Sequence, residues 1–129
     1  MNSILINISG HSLNSQARQA LENIHDCVID ANPIEIEFNE SIEEQIINFV
    51  KRIPVTIDGS SSITIIPPGQ STFAIIIVSY LHGLIGHFPN ICYLERTASG
   101  IYAPKIEYTI NPQNIRVAGR KIRNSQSDV

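Results

Sequence analysis

Charge is scarce in this chain. Asp, Glu, Lys and Arg together make up 16% of 129 residues, and the formal balance is −3. Without a positive field there is no bulk attraction for long nucleic acid. A small anionic ligand is still admitted. Salt confines long-range repulsion to about 8 Å, whereas one hydrogen bond to a charged group contributes about 1.5–3 kcal/mol. Cysteine is equally sparse: Cys27 and Cys92 are too few for a disulfide framework and lack metal-site spacing. Reduced thiols in a cytoplasm are therefore expected. The longest apolar stretch, Phe73 to Val78, is too short to span a bilayer. No Lys or Arg precedes the short apolar run at the amino end, so no signal peptide is expected. No internal repeat or linker is visible. What is present is apolar: 43% of the residues, which excludes a disordered chain. One domain is expected over residues 1–124, with a polar tail at 125–129.

Ile4 to Ile8 forms a nearly continuous apolar run closed by Ser9-Gly10, the pattern of a strand buried on both faces. Leu13, Ala17, Ala20, Leu21 and Ile24 recur at helical spacing. Ile34 to Phe38 alternates apolar with polar, as a strand near the sheet edge does. Ser41 with Glu44 reads as a capping box, followed by a stripe of Ile42, Ile46, Phe49, Val50 and Ile53 that Pro54 ends. Ile63 to Ile66 reads as another inner strand, stopped by Pro67-Pro68-Gly69.

Phe73 to Val78 is strand-like in propensity. No turn residue interrupts Ser71 to Gly83, however, and Ser71 or Thr72 can cap a helix, so a buried helix is expected. Ile91–Leu94 and Ile106–Ile110 read as strands around a Ser99-Gly100 turn. Asn111-Pro112 starts a last helix, with Ile115, Ala118 and Ile122 facing the core. Such alternation predicts an α/β fold: a single Rossmann-like domain with a mainly parallel sheet and helices on both faces.

In such sheets ligands bind beyond the carboxyl ends of the strands. Two turns qualify, each following an inner strand and leading into a helix. Gly10 and Gly69 let the backbone approach a ligand closely, and helix-start N–H groups favour phosphate. Asn7, Ser9, Ser12, Pro68, Gln70, Ser71 and Thr72 complete the candidate ligand-binding set, with Asn7 a polar group inside an apolar strand. Neither turn matches G-x-G-x-x-G or the Walker pattern, and Gly and Ser also make ordinary turns. His11 belongs to the same ligand-binding set, able to hydrogen-bond a phosphate or a base, and is the candidate proton donor, although exposed turn histidines are mostly inert. His82 and His87 lack the i, i+4 spacing of a helical metal pair and fit capping of helix-end carbonyls; no metal or cofactor is expected. Arg116, Arg120 and Arg123 share a helix stripe that can reach phosphates, but basic stripes more often face water.

Asn7-Ile8-Ser9-Gly10-His11-Ser12-Leu13, Pro67-Pro68-Gly69 and His82-Gly83-Leu84-Ile85-Gly86-His87-Phe88-Pro89 resemble a family of small stand-alone proteins encoded beside type III CRISPR systems. Its patterns are N-F-S-G-H-P-L, P-P-G and H-G-x-x-G-H-F-P. The resemblance covers nearly the whole chain, including the region of Asn111 and Arg116, and the third pattern is the most specific. It implies a domain similar to the CRISPR-associated Rossmann-fold domains, which recognise cyclic oligoadenylates. Some small members are ring nucleases that linearise this messenger, and others bind it. Ile8 replaces the usual Phe, Ser12 the usual Pro, and Leu84 a position often basic. The last change removes a phosphate partner.

The resemblance thus implies cyclic oligoadenylate, in first place cyclic tetra-adenylate, as ligand. It also implies a homodimer whose two-fold axis matches that of the ring, with ligand-driven assembly beyond a dimer left open. No Lys stands near either turn, which favours sequestration over fast metal-independent cleavage. A generic nucleotide-binding module and a ligand-free interaction subunit remain open beside it.

Overall fold

The computed structural model describes residues 2–127, apart from the side chains of residues 105–108 and 126–127. Five strands and four helices follow in the order β1 (Asn2–Asn7), α1 (Ser15–Glu22), β2 (Cys27–Asp30), α2 (Ile42–Lys51), β3 (Ser61–Ile66), α3 (Ser71–Ile85), β4 (Asn90–Arg96), β5 (Tyr102–Ile110) and α4 (Pro112–Ser127). The sheet order is β2-β1-β3-β4-β5. β1 pairs in parallel with both β2 and β3, β3 pairs in parallel with β4, and β5 returns antiparallel to β4. The chain is a single α/β domain with a mixed, mostly parallel sheet flanked by helices.

The inner strands read as they do because both faces are covered. On one face Ile4, Ile6, Ile8, Ile63 and Ile65 pack under α2 and α3, against Ile46, Phe49, Phe73, Ile77 and Leu81. On the other, Leu5, Ile66 and Cys92 pack with Leu21 of α1. The segment of ambiguous propensity is helical because Phe73, Ile77, Leu81 and Ile85 recur every four residues and are all buried. Phe73 meets the Phe49 ring edge-on at 5.3 Å. Ser41 caps α2 as expected, its side chain accepting from the Glu44 N–H at 3.3 Å.

Three expectations need correction. The second strand is Cys27–Asp30, and Ile34–Phe38 forms no strand, being irregular as far as Glu37 and entering a turn at Phe38. Its alternation is real, with Ile36 buried, but its backbone has a side chain for a partner. Gln45 accepts from the Glu37 N–H and donates to the Glu37 carbonyl, both at 2.9 Å. Helix α1 stops at Glu22, which leaves Ile24 exposed instead of packed. Helix α4 forms but does not face the core: Ile115 and Ile122 are 64% and 61% exposed, and Ala118 is exposed too. It also runs past the expected boundary at residue 124 to Ser127. Residues 128 and 129 of the expected tail lie outside the described residues.

At the opposite edge from the strand ends, Ser3 Oγ lies 2.8 Å from His25 Nδ1, and Asp26 accepts from the Ser3 N–H. Burial pushes the His25 pKa down, against the smaller opposing pull of Asp26. The folded chain therefore holds this imidazole neutral where the unfolded chain protonates it. Stability from this group is full above about pH 6.5 and is lost as pH falls through the lowered value. Thermal unfolding followed from pH 7.5 to pH 5 is expected to show a falling midpoint, and a smaller fall in His25→Gln. In the core, Ile77→Ala is expected to cost about 2–5 kcal/mol in urea titrations, and Ile24→Ala less than about 0.5 kcal/mol.

Candidate functional site

β1 and β3 end side by side. Asn7 is in register with Ile66, and the Ile8 N–H donates to the Ile66 carbonyl at 2.9 Å. From there the two chains part. β1 leads through α1 to β2 on one side, and β3 leads through α3 to β4 on the other. This is the switch point at which open α/β sheets form a crevice.

The turn after β1 is built around Asn7, which is 3% exposed. Its Oδ1 accepts from the Ser9 N–H at 3.1 Å and the Ser9 hydroxyl at 2.6 Å. Its Nδ2 donates to the His11 carbonyl at 2.8 Å and to Asp30 Oδ1 at 3.0 Å. Ser9 Oγ in turn accepts from the His11 N–H at 3.1 Å. The buried amide is fully satisfied, as burial demands. Asn7 borders the cleft, and its hydrogen bonds shape the turn. Gly10 takes φ +81°, a conformation that costs other residues roughly 1–2 kcal/mol.

The resulting cleft, about 400 Å³, lies between Gly10, His11, Ser12 and Leu13 on one side and Arg18, Asp30 and Asn32 on the other. Arg18 pairs with Asp30 across it and reaches the Val28 carbonyl at 3.4 Å. Sequence reasoning missed this cation. It stands in the first turn of α1, twelve residues from Asp30, and only the β1–β2 register brings the two together. The His11 ring lies flat on Tyr102 of β5, with centroids 3.9 Å apart and planes 19° apart.

The second turn opens elsewhere. Pro68 is buried, while Gly69, Gln70, Ser71 and Thr72 are exposed. Gln70 occupies the N-cap of α3 without a side-chain bond, so neither Ser71 nor Thr72 caps it. Its first-turn N–H groups therefore have no side-chain cap. By contrast α1 is closed by its own Asn14, whose Oδ1 accepts from Ala17 at 2.7 Å; Ser12 plays no part in that cap. The two turns share one edge of the sheet, but the second does not line the cleft beside Gly10. The reason is topological: α1 covers one face of the sheet and α3 the other, so the turns bend apart as they leave it.

Three groups lie away from this edge. His82 lies tilted against Phe88, with centroids 4.2 Å and planes 33° apart. His87 Nδ1 lies 3.2 Å from the Phe88 carbonyl. Neither ring caps helix carbonyls; Gly86 ends α3 at φ +84°, its N–H donating to the His82 carbonyl. This segment precedes β4 and so sits at the opposite edge of the sheet. Arg116, Arg120 and Arg123 line a hollow of about 310 Å³ on α4 alone. Among the described residues no group of three or more His, Cys, Asp or Glu can hold a metal, and no helix is long and apolar enough to cross a membrane.

No family model, curated protein or solved structure matches this chain. Its function must therefore be argued from the cleft itself. Replacing the Asn7 amide tests that architecture. Asn7→Asp removes both donated bonds and sets a carboxylate beside Asp30. It is expected to lower stability by at least about 1–3 kcal/mol in urea unfolding; an unchanged midpoint would mean that the turn does not depend on this network.

Proposed function

We propose that this chain binds a cyclic oligoadenylate, in first place cyclic tetra-adenylate, and by sequestering it down-regulates type III CRISPR antiviral signalling in the cytoplasm. The observation that supports this reading is the Gly10 cleft at the β1/β3 switch point, where the Gly10 turn and the Arg18 guanidinium face each other. The start of α3, without a side-chain cap, leaves the same end of the sheet outside that cleft. Backbone N–H groups at a helix start and an Arg fork are suited to phosphate. The Arg18–Asp30 pair makes the cleft neutral at rest, and a phosphate that recruits Arg18 competes with Asp30 for it.

The turns diverge, and that bears on the ligand. A mononucleotide fits the Gly10 cleft, whereas reaching the start of α3 as well requires a larger molecule. A ring of four nucleotides carries four phosphates and a two-fold axis, and a symmetric dimer presents both turns twice. The motif resemblance supports the same ligand. On this reading the fold is a small relative of the CRISPR-associated Rossmann-fold domains.

A second reading, a metal-independent ring nuclease, draws on His11. In that reaction a ligand 2′-hydroxyl attacks the adjacent phosphorus and the P–O5′ bond breaks. The leaving oxygen takes a proton from His11, and a 2′,3′-cyclic phosphate remains. The His11 ring is held by stacking on Tyr102, and among the described residues no carboxylate is hydrogen-bonded to it, which favours binding over rapid cleavage.

Thermal shift against a nucleotide panel separates the readings. The ring at about one hundred times its dissociation constant adds roughly 2.7 kcal/mol. Equal stabilisation by AMP and ATP would reassign the cleft to mononucleotides, and no stabilisation by any of them would leave an interaction subunit. Arg18→Ala is expected to weaken ring binding by about tenfold or more. His11→Ala is expected to spare most of the binding and to abolish any linear product; equal loss of both would refute its role as acid.

A further inference from the structure

Helix α4 is amphipathic, yet among the described residues its apolar stripe is left largely exposed. Ile115, Ala118 and Ile122 fall on one face by i, i+3, i+7 spacing, and the two isoleucines are 64% and 61% exposed. Beside that face run Arg116, Arg120 and Arg123. With Lys121, four of the nine Lys and Arg of the chain stand on this helix, which carries no Asp or Glu.

The complementary surface lies elsewhere on the same molecule. Between α2 and α3 runs an apolar groove of about 630 Å³, walled by Ile42, Ile46, Ile75, Ile76 and Tyr80 and bordered by Glu43. Ile75 is 68% exposed there. The first turn of α2 holds both Glu43 and Glu44, directly after Glu40 and Ser41. The groove is thus acidic at one end and aliphatic along its length, where α4 is basic beside an aliphatic stripe.

We propose that α4 of one copy of this chain docks into the α2–α3 groove of a second copy, which returns the same contact. The isoleucines of α4 enter the groove, and its arginines face the acidic start of α2. Charge selects this occupant. Outside α4 the chain carries five cations against twelve carboxylates, so a second copy presents the acidic partner that the basic helix fits. Reciprocity doubles the buried surface toward the roughly 1,200–2,000 Å² of a specific interface, and a closed two-fold pair leaves neither apolar surface open to further copies. None of the Gly10 cleft residues takes part, so this inference goes beyond the ligand reading and does not rest on it.

Sedimentation of the full chain tests it. The wild type is expected as a dimer. Ile75→Asp breaks the groove and Ile122→Asp breaks the helix face; each is expected to raise the dimer dissociation constant by about tenfold or more. Both side chains face solvent in the single chain, so circular dichroism is expected to show both variants folded. An equimolar mixture of the two retains one intact contact and is expected to form a heterodimer more readily than either variant pairs with itself. A monomeric wild type overturns the inference, as does a dimer that survives Ile75→Asp, which would mean that α4 pairs with something other than the groove. A monomer that still gains stability from cyclic tetra-adenylate would remove this inference alone and leave the ligand reading standing.

Discussion

Parallel pairing of β1 with β3, buried on both faces, is the constraint from which the rest of the molecule follows. Six residues of each strand are in register, from Asn2 opposite Ser61 to Asn7 opposite Ile66. Buried backbone groups must be paired, and parallel neighbours can be joined only through a crossover. The chain therefore leaves β1 for β2, crosses back over through α2, and brings two strand ends out at the same edge. One chain then departs under α1 and the other under α3. The cleft is the gap between those departures, and Asn7 holds its near wall by tying the turn to the strand and to Asp30.

Much of this was legible because it rests on local patterns. The runs at Ile4–Ile8 and Ile63–Ile66 announce strands covered on both sides, and Ser41 with Glu44 announces the start of α2. The third helix was legible against its own propensity, since the absence of any turn residue outweighed its β-branched content. What the pattern misjudged depends on partners distant in sequence. Ile34–Phe38 alternates like a strand, but the position beside β1 belongs to Cys27–Asp30, a segment of four residues too short to show a period. An irregular segment that buries one residue in the core alternates in the same way, and here the Gln45 side chain holds the backbone of Glu37.

The site shows the same division. Gly10 and Gly69 were legible as turns because each interrupts an apolar run, and topology sets them at one edge. Their divergence was not, since it follows from which face each helix covers. Arg18 was invisible because nothing in the order of residues places it opposite Asp30. Helix α4 has the periodicity of a packed helix, and the stripe of Ile115, Ala118 and Ile122 is real. Periodicity states that a face will be covered. It does not state by what, and in a single chain this face is left bare.

The central claim is that one anionic ligand is held by both turns at the β1/β3 edge. Amide chemical shifts of the isotopically labelled chain, titrated with cyclic tetra-adenylate, test it most directly. The account predicts that the amides of Gly10 and Ser12 shift in step with those of Gly69 to Phe73 along one saturation curve. Shifts confined to Arg116–Arg123, or restricted to one of the two turns, would contradict it.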